Sequence, residues 1–100
     1  MFRMRPLEEI PPIASNRTRF EILADILKVA SNSSLKTHIM YKVNLSHRQL
    51  EKYLEFLITN QLLEETNNPD VGRRYRITQK GIDFLKDYSR LESHLTKGTI

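Results

Sequence analysis

Leu62-Leu63-Glu64-Glu65-Thr66, then Asn67-Asn68-Pro69-Asp70-Val71-Gly72, then Arg73-Arg74-Tyr75-Arg76-Ile77 is the stretch whose reading decides the fold. The helical period of the preceding residues stops at Leu62, and Leu62 to Thr66 reads as a strand. Asn67 to Gly72 is turn chemistry, rich in residues that tolerate or require turn backbone angles. Arg73 to Ile77 reads as the returning strand, with Tyr75 and Ile77 on one face and Arg74 and Arg76 on the other. The sequence therefore predicts a β-hairpin at this point, with its apolar face against a core.

Working upstream, Ser46 is followed three residues later by Gln49, the spacing of a capping box, so a helix is expected to begin there. Leu50, Tyr53, Leu54 and Leu57 form its buried stripe, and Arg48, Lys52, Glu55 and Thr59 lie opposite. Val43-Asn44-Leu45-Ser46 reads as a tight turn. Before it, a short helix is predicted from about Leu35 to Tyr41, set off by Asn32-Ser33-Ser34. A first helix is predicted over Arg17–Ser31, with Ser15 or Asn16 as N-cap and an apolar stripe of Phe20, Leu23, Ile26, Leu27 and Ala30. Downstream of the hairpin, Thr78 should cap a last helix running roughly from Gln79 to Thr96, closed by Gly98. Residues 1–15 hold three of the four prolines (Pro6, Pro11, Pro12) and read as an extended arm.

The order helix, helix, turn, helix, hairpin, helix is that of a winged helix-turn-helix. The expected class is mainly α with a small β-hairpin and a C-terminal helix able to form a coiled coil. Three regions are expected: an arm over 1–16, the winged-helix domain over 17–78, and a dimerisation helix over 79–97.

Composition narrows the function. The chain has 100 residues and no cysteine, which excludes disulfides, thiolate nucleophiles and cysteine-ligated zinc. One domain of this size holds a small core and leaves little room for a deep substrate cavity. No apolar run approaches the roughly 20 residues of a membrane span, and the N-terminus lacks the apolar segment of a signal peptide. A soluble, intracellular chain is expected. His38, His47 and His94 stand far apart with no i, i+4 pair, so no metal site is expected. The three glycines form no phosphate-loop or dinucleotide fingerprint, and no nucleophile elbow is present. Neither an enzyme nor a cofactor is expected.

The formal net charge is +4, but its placement is more informative than its size. Residues 36–52 carry a local +3 and residues 67–76 a local +2, while residues 53–66 sum to −3. Two compact basic segments suit a polyanion. The candidate contacts follow from the fold. Ser46, His47, Arg48, Gln49 and Lys52 occupy the exposed N-terminal half of the third helix. There Arg48 matches guanine, Gln49 matches adenine, and Lys52 suits a phosphate. Gln49 cannot cap its helix and read a base at the same time. Arg73, Arg74 and Arg76 can clamp phosphates from the hairpin or enter a minor groove. Lys36 and Thr37 open the second helix, where free amides favour an anion. Each of these also has a plainer reading as a solvated surface or capping residue. On the last helix Phe84, Tyr88, Leu91 and Leu95 are spaced four, three, four, as in a heptad seam, while Ile82 and Leu85 point toward the winged core.

Lys36-Thr37-His38-Ile39-Met40-Tyr41, then Asn44-Leu45-Ser46, then Tyr75-Arg76-Ile77-Thr78-Gln79-Lys80-Gly81 resemble the archaeal 10a-type winged-helix DNA-binding proteins of chromosomes, viruses and plasmids. The resemblance covers about residues 17–95 and omits the arm. It implies double-stranded DNA binding, as a transcriptional regulator or a chromosome-organising protein. It also implies a homodimer formed by an antiparallel coiled coil of C-terminal helices, and a cytoplasmic, nucleoid-associated location. The alternative is a winged helix that holds a protein partner without touching DNA. RNA ranks third, because a helix cannot read the deep, narrow groove of an RNA duplex.

Overall fold

A computed structural model describes residues 17–70 and 72–94. The elements are α1 (Arg19–Val29), a 3-10 turn (Ala30–Asn32), β1 (Ser34–Leu35), α2 (Lys36–Val43), α3 (His47–Thr59), β2 (Leu63–Asn68), β3 (Gly72–Ile77) and α4 (Gln79–Glu92). This is the expected winged-helix order. The proline-containing arm and Leu95 lie outside the described residues.

Several boundaries move for identifiable reasons. α1 is capped by Thr18 rather than Ser15 or Asn16. Thr18 Oγ1 accepts from the Glu21 amide at 3.1 Å, and Glu21 Oε1 accepts from the Thr18 amide at 2.7 Å. That reciprocal box satisfies two helix-end donors at once. The helix ends at Val29, and the chain turns through Ser33 in the left-handed region, φ 57°. α2 starts at Lys36, because Leu35 is spent in β1. It continues to Val43, where Asn44 takes the left-handed position that favours Gly or Asn, φ 60°. α3 begins as expected: Ser46 and Gln49 make both bonds of the capping box, at 3.1 and 3.0 Å.

The hairpin is part of a three-stranded antiparallel sheet in the order β1-β3-β2. Leu63 faces Ile77, Glu64 faces Arg76, and Glu65 faces Tyr75. The third strand, β1, pairs Ser34 with Tyr75 and Leu35 with Arg74. Two residues are too few for a periodic signal, so β1 could not be expected from the sequence.

One core joins these elements. Ile22, Leu23, Ile26 and Leu27 from α1 meet Ile39 and Val43 from α2, and Leu50, Tyr53, Leu54 and Leu57 from α3. Leu62, Leu63, Tyr75 and Ile77 close it from the hairpin. The α3 stripe is the expected one. Phe20 is a correction: it is 48% exposed, and Ile22 and Ala24 supply α1's buried face with Leu23, Ile26 and Leu27.

α4 is joined to the end of α3 by polar contacts. Thr78 Oγ1 donates to the Gln61 carbonyl at 2.7 Å and accepts from the Gly81 amide at 3.0 Å, while Lys80 Nζ donates to the Asn60 carbonyl at 3.0 Å. Gly81 is buried against the Leu62 carbonyl and the Ile77 side chain, where a Cβ would stand 2.6 Å from Ile77 Cγ1. Only a glycine lets the first turn of α4 lie this close to the hairpin. Among the described residues no helix is long and apolar enough to cross a membrane.

Candidate nucleic-acid interface

The helix-turn-helix presents the N-terminal half of α3 to solvent. Ser46, His47, Arg48, Glu51 and Lys52 are exposed and Gln49 is half-buried. Arg48 and Lys52 make no ion pair with a described residue, so both charges are available to a ligand. Ser46 and Gln49 are occupied by capping each other. Gln49 therefore has its amide oxygen committed and is not poised to read adenine.

Glu51 links two elements. Its carboxylate meets the ammonium of Lys36, at the start of α2, and lies 3.4 Å from His47 Nε2 one turn back on α3. The first turn of α2 and the exposed face of α3 thus form one surface. No side chain caps α2: Leu35 stands at its N-cap, and Thr37 beside it is exposed. The first-turn amides of α2 are therefore not taken up by a capping side chain.

The wing arginines divide between the two faces of the ribbon. Arg73 shares the face of Tyr75 and Ile77, and its Nε lies 2.7 Å from Glu65 Oε2. Arg74 and Arg76 share the opposite face. Arg76 donates to Glu64 Oε2 from Nε at 3.0 Å and from Nη2 at 2.6 Å. Arg74 turns back to the body of the domain, donating from Nη1 to the Ser33 carbonyl at 2.7 Å. Three arginines close in sequence therefore have three different partners. Burial, and then the Glu65 carboxylate, holds the Tyr75 phenol above its usual value. Tyr75 stays neutral at the base of the wing.

A second surface lies on the far end of α1 and along α4. Phe84 and Tyr88 stack with ring centroids 6.4 Å apart, and Phe20 and Leu91 extend them into a groove of about 400 Å3. Glu21, Asp87 and Glu92 line its rim. Burial first, and then Glu92, Glu21 and Asp25, pushes the Tyr88 phenol up. Leu91 is 55% exposed, whereas Phe84 also packs on the core with Ile82 and Leu85. The sequence reading missed Phe20 here, because a residue at helical spacing beside a core stripe looks like core. Among the described residues no cluster of three potential ligands could hold a metal.

A family model described as winged helix-turn-helix matches residues 16–96. The chain belongs to this family. The winged helix-turn-helix match spans all the described elements and agrees with their order. An uncharacterised protein of Methanocaldococcus jannaschii, MJ0287, is 30% identical over 80 residues, covering 71% of this winged helix-turn-helix chain and 77% of its own length. Among solved structures, Sso10a-2, a DNA-binding protein from Sulfolobus solfataricus, superposes with a TM-score of 0.68 at 24% identity, over 81% of this chain and 87% of that one. The resemblance read from Lys36–Tyr41 and Tyr75–Gly81 thus has a counterpart in the fold. F93 from STIV, a winged-helix DNA-binding protein, gives a TM-score of 0.66 at 18% identity, over 79% of this chain and 91% of that one.

Proposed function

We propose that this winged helix binds double-stranded DNA, as a transcriptional regulator or chromosome-organising protein, and does so as a homodimer. α3 enters the major groove, with Arg48 set to meet a base edge and Lys52 a phosphate. The wing lies along the backbone through Arg73 and Arg76, and the first turn of α2 adds Lys36 and Thr37. Residues 17–78 form the DNA-binding unit, residues 79–97 the pairing helix, and residues 1–16 a proline-containing N-terminal arm. Phe84, Tyr88, Leu91 and Leu95 provide the seam.

The observation that carries this reading is the pair Arg48 and Lys52, exposed and without ion-pair partners among the described residues, on the helix that the fold presents. The ion pairs of Lys36, Arg73 and Arg76 do not oppose it. Exposed pairs contribute only about 0–1 kcal/mol, so a phosphate can replace each carboxylate at little cost. A duplex titration at several salt concentrations tests the proposal. With on the order of 6 phosphate contacts per dimer, affinity should fall about a thousandfold between roughly 50 and 200 mM salt. A flat salt response, or no binding at low salt, would overturn it and favour a protein partner.

A further inference from the structure

Tyr41 is the most exposed large hydrophobic residue described, at 84%, and nothing above gives it a task. A single exposed aromatic is ordinary on a protein surface; the position of this one is not. Lys36 reaches α3 through Glu51, and His38 lines the same shallow groove as Arg74 at the base of the wing. On the solvent side of α2, the arc between those two contacts is occupied by Thr37 and, one turn later, Tyr41. Lys42 follows, exposed and without an ion-pair partner among the described residues. α2 itself, Lys-Thr-His-Ile-Met-Tyr-Lys-Val, contains no acidic residue. A phosphate approaching the last turn of this arc meets the Tyr41 phenol beside the Lys42 ammonium, with no carboxylate on the same helix and with Glu51 held by Lys36 at the opposite end.

We infer that Tyr41 is a further backbone-contacting residue, its hydroxyl donating to a DNA phosphate while Lys42 supplies charge beside it. Tyrosine hydroxyls are among the groups that fix a protein's register on a duplex without reading sequence. The inference rests on the duplex-binding reading and extends its footprint along α2, from the first turn to the last. Its chemistry separates two effects. A neutral phenol donates a hydrogen bond but displaces no counterion, whereas a lysine does displace one.

The test compares wild type, Tyr41→Phe, Tyr41→Ala and Lys42→Ala in duplex titrations across salt, with circular dichroism confirming that each variant is folded. Tyr41→Phe should weaken binding about ten- to a hundredfold, the effect of one hydrogen bond to a charged acceptor, and leave the salt slope unchanged. Lys42→Ala should reduce the slope by about 1. Tyr41→Phe binding as tightly as wild type overturns the inference, whether or not Tyr41→Ala is impaired. A wild-type protein that binds no duplex instead overturns the underlying function, so the two failures are told apart.

Discussion

Arg74 Nη1 donates to the carbonyl oxygen of Ser33 across 2.7 Å, joining residues 41 apart in sequence. Ser33 holds a left-handed backbone at the corner between the 3-10 turn and β1. The bond therefore fixes the base of the wing to the residues that launch α2. Arg74→Ala should lower stability by about 1–2 kcal/mol, since a half-buried carbonyl loses a charged donor. Arg73 meets the Glu65 carboxylate and the Tyr75 phenol at the surface of the ribbon, so Arg73→Ala should change stability by less than about 1 kcal/mol. Duplex affinity should respond differently: Arg73→Ala reduces the salt slope by about 1, and Arg74→Ala does not. Urea denaturation beside a salt series measures both quantities. A reduced slope with unchanged stability for Arg74→Ala would return that residue to the set of direct contacts.

In the proposed binding mode Arg48 meets a base edge, so it should discriminate rather than merely attract. Arg48→Ala should cost about 1–3 kcal/mol on a preferred site and blur discrimination there. Competition between a selected site and random duplex provides the measurement. Equal losses on both would make Arg48 a backbone contact.

Glu51 holds Lys36 and His47 on the surface assigned to DNA. Removing its charge frees both partners and deletes a group that repels phosphate. Glu51→Gln should therefore bind duplex more tightly, by several-fold at low salt, with the gain shrinking as salt screens it. Weaker binding by Glu51→Gln would show that the carboxylate orients Lys36 productively.

How much of this was legible in the sequence varies with the kind of interaction. The α3 stripe of Leu50, Tyr53, Leu54 and Leu57 was readable because burial repeats at the helical period. Ser46 and Gln49, and Thr78 ahead of α4, were readable because caps act over three residues. Thr18 and Glu21 have the same spacing, but Ser15 and Asn16 are competing caps, and only packing selects among them. Partners at long range left no local trace. Nothing in the sequence near Arg74 points to Ser33, and nothing near Lys36 points to Glu51. The candidate cations were thus identified by type, while their pairing was decided by register and helix placement. β1 was hidden for the same reason, since its strand character comes from its alignment with β3.

Gly81 illustrates such a long-range constraint. It lies in the first turn of α4, where alanine would ordinarily favour the helix by up to about 1 kcal/mol. Here a methyl group would meet the Leu62 carbonyl and stand 2.6 Å from Ile77 Cγ1. Gly81→Ala should therefore destabilise the domain by about 1–3 kcal/mol, the cost of overpacking. Thermal denaturation decides the sign, and a stabilised Gly81→Ala variant would mean that α4 shifts freely on the hairpin.

The last expectation concerns assembly. Phe20 and Leu91 are 48% and 55% exposed on one groove, and the stacked rings of Phe84 and Tyr88 form its floor. A second copy seated there by an isologous contact would remove this apolar surface from water. Leu91→Arg places a cation in the seam and should give folded monomers whose duplex affinity falls, because two linked recognition helices become one. The winged core should survive, since Leu91 is not among the residues packed on it. Phe20→Ala should weaken pairing as well, which a seam confined to α4 would not require. Light scattering at micromolar concentration should return twice the chain's mass for wild type and the single-chain mass for Leu91→Arg. A wild-type monomer would rule out the homodimer and leave the groove to a different partner.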